Sequence, residues 1–195
     1  MEKRIKYELV GPDLKKQLGT ILKNFNDHMS LLYEAAVRDP KTGLYNFLFF
    51  KNMLDIESAK AKRGEDLSLG IFDLDYFKKI NDTYGHLVGD KILIRLARVL
   101  QDNLRKSDII SRFGGEEFVV LMPNTNIKKA YKVLDRLRKI ISADKELKRY
   151  RVTASCGVTQ YKKGDNLKRF KDRADKALYK AKDLGRNRAE MMELF

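Results

Sequence analysis

Two acidic pairs are the side chains of this sequence best suited to chemistry. Asp73 and Asp75 close an apolar run, and Glu116 and Glu117 follow two adjacent glycines. Neighbouring carboxylates repel each other unless a cation or a hydrogen-bond donor compensates them, and Mg²⁺ shared with a phosphate substrate suits such oxygen ligands. Each pair also has a simpler interpretation. Glu116 and Glu117 would be solvated acids at a hairpin tip. Of Asp73 and Asp75, one would cap the following turn and the other would form an ion pair with Lys78 or Lys79.

The residues around both pairs predict strands that would position them. Segments 108–113 and 116–122 are rich in β-branched and aromatic residues. Gly114-Gly115 between them predicts a two-residue hairpin turn, because such turns need positive φ angles. The run Leu67–Leu74 predicts a buried strand with the first acidic pair at its carboxyl end. Alternation along a strand would point both of those carboxylates to the same side, at least until the strand ends.

A glycine-punctuated loop at residues 76–90 offers groups that could read a purine base. The Asn81 amide is both donor and acceptor, and the Asp90 carboxylate accepts two N–H groups. The same residues are equally typical of a turn and a helix N-cap, with Asp90 opening a helix from Lys91 to about Leu104. The residues alone leave both interpretations open.

Cations near the end of the chain and before the hairpin are candidates for phosphate binding. Lys182 lies near the end of a predicted helix from Asn166 to Leu184, and Arg186 follows a helix-terminating glycine. Spaced four apart, Lys182 and Arg186 could hold terminal phosphates, although a solvated charged face is the default for such residues. Arg105 and Asp108, just before the hairpin, are typical of a surface ion pair.

Composition narrows the function classes. Lys and Arg number 41 against 27 Asp and Glu, and the net charge of +14 favours nucleic acid, an anionic membrane surface or phosphorylated small molecules as partners. The basic residues are scattered among acids, which argues against a dedicated nucleic-acid binder. The lone Cys156 excludes internal disulfides. No apolar run approaches the roughly 20 residues of a membrane span, and no secretory signal follows Met1–Lys6, so we expect a cytoplasmic protein.

The sequence predicts a helical stalk at residues 1–38 and a larger domain at residues 39–195. In the stalk, apolar residues recur at alternating spacings of four and three, as in a coiled-coil seam: Leu18, Leu22, Phe25, Met29, Leu32 and Ala36. A parallel dimer stalk and a helix packed on its own domain fit this seam equally well. After Asp39-Pro40 the predicted order is α, β, α, β-hairpin, α, β, α, β, which indicates an α/β fold with a mostly antiparallel central sheet flanked by helices.

Five sequence blocks resemble the GGDEF family, the diguanylate cyclases, over residues 39 to about 190. They are Asp39-Pro40-Lys41-Thr42-Gly43-Leu44-Tyr45-Asn46, Phe72-Asp73-Leu74-Asp75 and its continuation to His86, Gly89-Asp90, Arg112-Phe113-Gly114-Gly115-Glu116-Glu117-Phe118, and Ala177 to Asn187. The resemblance implies a palm-like α+β fold of the nucleotidyl-cyclase type. It also implies an enzyme that condenses two GTP into cyclic di-GMP and releases two pyrophosphates.

A metal site and a catalytic base are implied by the same resemblance. Asp73, Glu116 and the Leu74 carbonyl would hold two Mg²⁺, with Mn²⁺ as a substitute and Glu117 assisting. Glu116 is also the family's candidate base for the attacking 3′-hydroxyl. The metal ions would offset charge on the triphosphate, which is the chemistry expected of such a site.

The resemblance further implies a substrate site, a product site and a homodimer. The residues matching the family's GTP contacts are Lys78, Lys182 and Arg186 for the terminal phosphates, Gly114 and Gly115 for the α-phosphate, and Asn81 and Asp90 for guanine. Arg105 and Asp108 match the site at which cyclic di-GMP inhibits its own synthesis. Each subunit would hold one GTP, so two subunits must face each other.

Two residues depart from the family pattern, and other functions stay open. Lys41 stands where an apolar residue is usual, and Phe47 where a basic one is common. The 38 residues before the domain leave no room for a sensor domain, so we expect either that a partner protein supplies the signal or that this sequence is part of a longer natural chain. The alternative function is a catalytically silent module that binds GTP or cyclic di-GMP and signals through its stalk. A nucleic-acid-binding protein would explain the charge but leave the acidic pairs idle.

Overall fold

The computed structural model describes residues 11–193. Its elements are α1 Pro12–Val37, α2 Phe47–Ala61, β1 Leu67–Leu74, α3 Phe77–Tyr84, α4 His86–Asn103, β2 Ile109–Gly114, β3 Glu117–Pro123, α5 Ile127–Ala143, α6 Lys145–Lys148, β4 Ala154–Gln160, α7 Leu167–Asp183 and β5 Ala189–Met191. The segment Met1–Lys6, which entered the prediction that no secretory signal is present, lies outside the described residues. None of the helices within residues 11–193 is long and apolar enough to cross a membrane.

The five strands form one sheet in the order β2-β3-β1-β4-β5. Only the β4–β5 pair is parallel, so the prediction of a mostly antiparallel sheet is confirmed. The central strand β1 is flanked by β3 and β4, and all its residues but Asp73 are buried. Residues at the carboxyl end of β1 are therefore held by ladder hydrogen bonds, from β3 on one side and from β4 on the other.

Alternate residues of the sheet feed two apolar cores on its opposite faces. Phe72 of β1 packs in a core with α4 and α5, whereas its neighbour Ile71 packs in a second core with α2 and α7. This alternation is the period-2 pattern of a strand covered on both faces. Cys156 of β4 belongs to the first core, where burial raises the pKa of its thiol well above the usual range. The buried Cys156 thiol therefore stays protonated and has a structural role.

The described residues divide into two compact units, 11–37 and 38–193, and each is described by itself. In the first, α1 is a continuous helix with no buried residue. Its apolar seam is exposed by 45% to 65% at Leu18, Leu22, Phe25, Met29 and Leu32. Apolar side chains at this spacing are typical of a helix that pairs with another helix.

Helix α4 begins earlier than predicted. It starts at His86, one residue after Gly85, whose φ of 83° separates it from α3. The expected helix from Lys91 with Asp90 as its N-cap is therefore wrong, because the glycine already provides the break. Asp90 instead lies inside α4, and its side chain is free of a capping role.

Candidate functional site

The hairpin turn lies one residue further along the chain than predicted. Gly114 still pairs with Glu117, so the turn consists of Gly115 and Glu116 rather than of the two glycines. A register irregularity between Arg112 and Gly114 explains the shift. Gly115 has φ of 51°, a conformation that a side chain resists. Glu116 is thus held in the turn itself, and Glu117 is the first residue of β3.

Arg112 fastens this turn to the beginning of the domain. Its Nε and Nη2 donate to the Gly115 carbonyl at 3.1 and 2.7 Å, and Nη1 donates to Asp39 Oδ1 at 3.2 Å. Burial tends to raise the pKa of the Asp39 carboxyl, but hydrogen bonds from Thr42 and the charge of Arg112 outweigh it and lower the pKa. The family motif contains Arg112, but nothing in the sequence assigned it this contact.

One cluster, called here the sheet cluster, consists of Asp73, Leu74, Glu116, Glu117 and Lys182. Asp73 is directly opposite Glu117 across β1 and β3. Lys182 of α7 places Nζ 2.8 Å from Asp73 Oδ1. The alternative interpretation of an ion pair with the following Lys78 or Lys79 is therefore wrong, because the cation comes from a helix distant in sequence.

The sheet cluster has the donors that a divalent metal ion requires. No group of three or more His, Cys, Asp and Glu side chains within residues 11–193 could hold a metal by itself. Mg²⁺, however, is commonly held by one or two carboxylates together with substrate phosphates. Glu117 Oε1 is buried, and the Lys171 ammonium lies 3.1 Å from it. Asp73 and Glu117, two neighbouring carboxylates that each contact an ammonium, are ligands of the type that a divalent ion shared with a phosphate takes.

Lys171 of α7 is a cation at this cluster that sequence reasoning missed. Its Nζ lies within ion-pair distance of two carboxylates, 3.1 Å from Glu117 Oε1 and 2.9 Å from Asp175 Oδ2. Burial tends to lower the pKa of Lys171, but Asp175 and Glu117 outweigh burial and raise it. The i,i+4 spacing to Asp175 was the only signal in the sequence, and that spacing does not reveal the contact with Glu117.

Asp75 is separated from Asp73 and plays a different part. Strand β1 ends at Leu74, so the alternation that would place both carboxylates on one side stops before Asp75. Asp75 is only 3% exposed and accepts hydrogen bonds from Thr153 Oγ1 at 2.7 Å, Ser155 Oγ at 2.6 Å and the Asn187 backbone at 3.0 Å. It thereby ties the end of β1 to β4 and to the segment after α7.

Arg186 belongs to that segment, and its neighbourhood differs from the predicted helical pair. Helix α7 ends at Asp183, and Arg186 has φ of 63°. Its guanidinium lies over the Tyr76 ring at 4.5 Å from the centroid, and Nη1 donates to the Lys182 carbonyl at 3.4 Å. Lys78 is exposed on α3. Lys78 follows β1 and Arg186 follows α7, which are two of the three chain segments that carry the sheet cluster.

A second cluster, called here the helix cluster, consists of Asn81 of α3, Gly89 and Asp90 of α4, and Lys41 of the turn after α1. A Cβ on Gly89 would lie 1.9 Å from Asn81 Oδ1, so only glycine allows the Asn81 amide to lie against α4. Lys41 Nζ lies 2.5 Å from Asp90 Oδ1. The two residues proposed to read guanine are thus on neighbouring turns of adjacent helices, with a lysine added to them.

Arg105 and Asp108 form a turn rather than the expected side-chain ion pair. Asp108 Oδ2 accepts from the Arg105 backbone at 3.0 Å. Burial raises the pKa of the Asp108 carboxyl, and the hydrogen bond and charge of Arg105 oppose this only in part. A cavity of about 180 Å³ is lined by both residues and by Arg38 and Tyr45. Asp108 Oδ2 thus accepts a hydrogen bond from the Arg105 backbone rather than from its guanidinium.

Comparison with known proteins gives the same family from sequence and from structure. The family model described as diguanylate cyclase, GGDEF domain, matches residues 36–188. Diguanylate cyclase DgcP of Pseudomonas aeruginosa is 42% identical over 173 residues, which are 87% of this chain and 26% of that protein. Response regulator PleD of Caulobacter vibrioides is 38% identical over 182 residues, 89% of this chain and 39% of PleD. The chain therefore spans between a quarter and two fifths of the length of these relatives.

Solved structures agree with the fold. The coiled coil and GGDEF domain of DgcB from Caulobacter crescentus, in complex with c-di-GMP, matches with a TM-score of 0.83 and 28% identity over 92% of this chain and 99% of that one. Diguanylate cyclase SiaD of Pseudomonas aeruginosa, in complex with its activator SiaC, has a TM-score of 0.76 and 34% identity over 91% of this chain and 71% of SiaD. The palm-like fold expected from the sequence is confirmed by these similarities.

Proposed function

Because this chain belongs to the GGDEF family of diguanylate cyclases, we propose that it condenses two GTP into cyclic di-GMP with release of two pyrophosphates. The observation that carries the proposal is the pairing of Asp73 with Glu117 across β1 and β3, beside Lys182. This pairing offers carboxylates and a cation at one sheet position. A metal-bound triphosphate needs both.

The sheet cluster is the proposed metal and phosphate site. Asp73, the Leu74 carbonyl, Glu116 and Glu117 would hold two Mg²⁺ or Mn²⁺. When bound, the ions offset charge on the triphosphate and lower the pKa of the attacking 3′-hydroxyl. Lys182 Nζ lies 2.8 Å from Asp73 Oδ1, and its ammonium would also donate to a phosphate held at these carboxylates.

Phosphate binding then falls to cations on three segments. Lys182 from α7, Arg186 from the segment after it and Lys78 from α3 would grip the β- and γ-phosphates. Their charges stabilise the pyrophosphate as it leaves. Gly114 at the end of β2 and Gly115 in the turn have no side chains and would admit the α-phosphate. Glu116, which lies in that turn, would accept the proton of the 3′-hydroxyl.

The helix cluster is the proposed base site. Asn81 offers a donor and an acceptor, and Asp90 accepts the N–H groups of guanine. The position of Asp90 inside α4 supports this role, because its carboxylate is not used as a helix cap. With a carboxylate in each subunit, guanine would be selected at both halves of the product.

Dimerisation is part of the proposed mechanism. Each subunit holds one GTP, and the 3′-hydroxyl of one must reach the α-phosphate of the other. The exposed seam of α1 supports a parallel homodimer stalk as the device that brings two domains together. An upstream sensor protein that acts on this stalk is the proposed source of the signal, and we place the reaction in the cytoplasm.

Product inhibition is proposed at Arg105 and Asp108. The arginine would grip a phosphate of cyclic di-GMP and the aspartate its guanine. Arg105→Ala should raise the inhibitory concentration of cyclic di-GMP at least about ten-fold, because a charge-assisted hydrogen bond is lost. Initial rates at increasing added product measure this. Inhibition equal to that of the parent would reject the assignment.

Product identification tests the proposed function. Purified protein is stripped of nucleotide, incubated with GTP and Mg²⁺, and its products are identified by mass, with Glu116→Gln in parallel. We expect cyclic di-GMP from the parent and none from the variant. If the parent binds GTP and dimerises but gives no product, the protein is the silent signalling module instead.

A further inference from the structure

Lys41 contacts the carboxylate proposed to read guanine, although it lies in a different part of the chain. Its Nζ is 2.5 Å from Asp90 Oδ1, and the two side chains are 38% and 39% exposed. Within residues 11–193 no other side-chain cation forms an ion pair with Asp90. Lys41 is also the position where this chain departs from an apolar family pattern. A charged group has therefore been added to the base site.

The turn that carries Lys41 is held from several directions. Asp39 Oδ1 accepts from the Thr42 backbone at 2.8 Å and from Thr42 Oγ1 at 2.6 Å. The Gly43 backbone donates to the Asp39 carbonyl at 2.9 Å, and Arg112 also donates to Asp39. A lysine at the tip of so constrained a turn has its Cα fixed. Only the side chain of Lys41 would have to change conformation to contact a bound base.

The ion pair is complementary to one edge of guanine. Guanine presents N–H donors beside an O6 acceptor, whereas adenine presents an N6 amino donor in place of O6. An ammonium has three donors and accepts none, so it can keep Asp90 and still donate to an oxygen. Asp90 would accept the N–H groups while Lys41 donates to O6. With adenine, the ammonium would face another donor.

We propose that Lys41 is an additional guanine-contacting residue that donates to O6 and strengthens selection of GTP over ATP. This inference rests on the proposed function, because it requires guanine at Asn81 and Asp90. The opposite role, in which Lys41 competes with the base for Asp90, is the outcome that would reject it. The partly exposed ion pair itself is too weak to decide between these roles.

The test is nucleotide binding by the full chain with ligands that cannot react. The ligands are 3′-deoxy-GTP and 3′-deoxy-ATP with Mg²⁺, both of which lack the attacking hydroxyl. Lys41→Met removes the ammonium and keeps the length of the side chain. Lys51→Met, on the exposed face of α2, makes the same change in net charge away from the site. We expect Lys41→Met to weaken 3′-deoxy-GTP about five- to ten-fold and to leave 3′-deoxy-ATP unchanged.

Each other result overturns the inference in a distinguishable way. Tighter 3′-deoxy-GTP binding by Lys41→Met would show competition for Asp90. Equal weakening of both nucleotides, matched by Lys51→Met, would show a long-range charge effect, and no change would show that Lys41 does not reach the base. A parent without preference for guanine would overturn both this inference and the proposed base site. Guanine preference that survives in Lys41→Met undiminished overturns this inference alone.

Discussion

The sheet cluster and the helix cluster are positioned by different kinds of structure. In the sheet cluster, Asp73 and Glu117 are placed by the register of β1 and β3, which a slip of one residue would reverse. In the helix cluster, Asn81 and Asp90 are placed by the packing of α3 against α4 at Gly89. The first arrangement depends on the ladder of the whole sheet, whereas the second depends on a single missing side chain.

This difference predicts how each cluster tolerates change. Carboxylates fixed by a central strand should keep their place when a neighbouring surface residue is altered, because ladder hydrogen bonds on both sides hold the strand. An amide seated on a glycine should move with any added atom. The sheet cluster suits metal and phosphate chemistry, which requires fixed charges. The helix cluster suits base selection, because the Asn81 amide and the Asp90 carboxylate offer the donor and acceptors that distinguish one base from another.

The largest effect should be a loss of stability on substitution of Asp75, the buried carboxylate that links the end of β1 to β4 and to the segment after α7. Asp75→Asn replaces one acceptor oxygen by a donor that faces the Thr153 or Ser155 hydroxyl or the Asn187 backbone. We expect the free energy of unfolding to fall by about 2–3 kcal/mol. Denaturant unfolding measures it. Asp73→Asn is the matched control and should cost less than about 1 kcal/mol, since it breaks one ion pair. Equal losses for both variants would contradict the separate roles of the two aspartates.

A smaller effect should distinguish the helix cluster. Gly89→Ala places a Cβ 1.9 Å from Asn81 Oδ1, so the Asn81 side chain must move. We expect GTP affinity to fall about ten-fold through the lost base contact. Gly19→Ala in α1 is the control, because nothing lies within 4 Å of its added Cβ. Unchanged affinity in Gly89→Ala would mean that Asn81 does not read the base.

The smallest effect concerns pH and the Asp39–Arg112 pair that joins the hairpin turn to the turn bearing Lys41. The pKa of Asp39 lies below its ordinary 3.8 in the folded protein. Its contribution to stability is therefore present above pH 3.8 and is lost as the pH falls through the folded pKa. Unfolding of the parent and of Asp39→Asn should differ by about 1 kcal/mol at neutral pH and converge in acid. A difference that persists in acid would exclude this linkage.

Short-range patterns predicted the fold and part of the site. An apolar run predicted β1, and segments rich in β-branched and aromatic residues on either side of two glycines predicted the hairpin. The exact turn was wrong because the register irregularity between Arg112 and Gly114 is a property of two paired strands, which no local pattern records. The start of α4 was wrong because Gly85 and Asp90 both resemble helix boundaries. Only their three-dimensional setting decides between them.

Contacts between distant segments were beyond prediction from spacing. Two ion pairs, Lys171–Glu117 and Lys41–Asp90, each join distant segments of the chain. Their separations in sequence follow neither the helix period nor the strand period. Family resemblance supplied the proposed metal-binding and base-reading residues, since these lie in motifs. It could not identify the added lysines, because one lies outside the motifs and the other departs from them.

The most direct test of a GTP site divided between the two clusters is to separate them by substitution. Binding of 3′-deoxy-GTP and 3′-deoxy-ATP is measured with and without Mg²⁺ for the parent, Asp73→Asn and Asp90→Asn. We predict that Asp73→Asn loses the Mg²⁺ dependence but keeps the preference for guanine, and that Asp90→Asn loses the preference but keeps the Mg²⁺ dependence. If either variant loses both properties together, or neither variant loses its own, the division of one GTP site between the sheet cluster and the helix cluster is wrong.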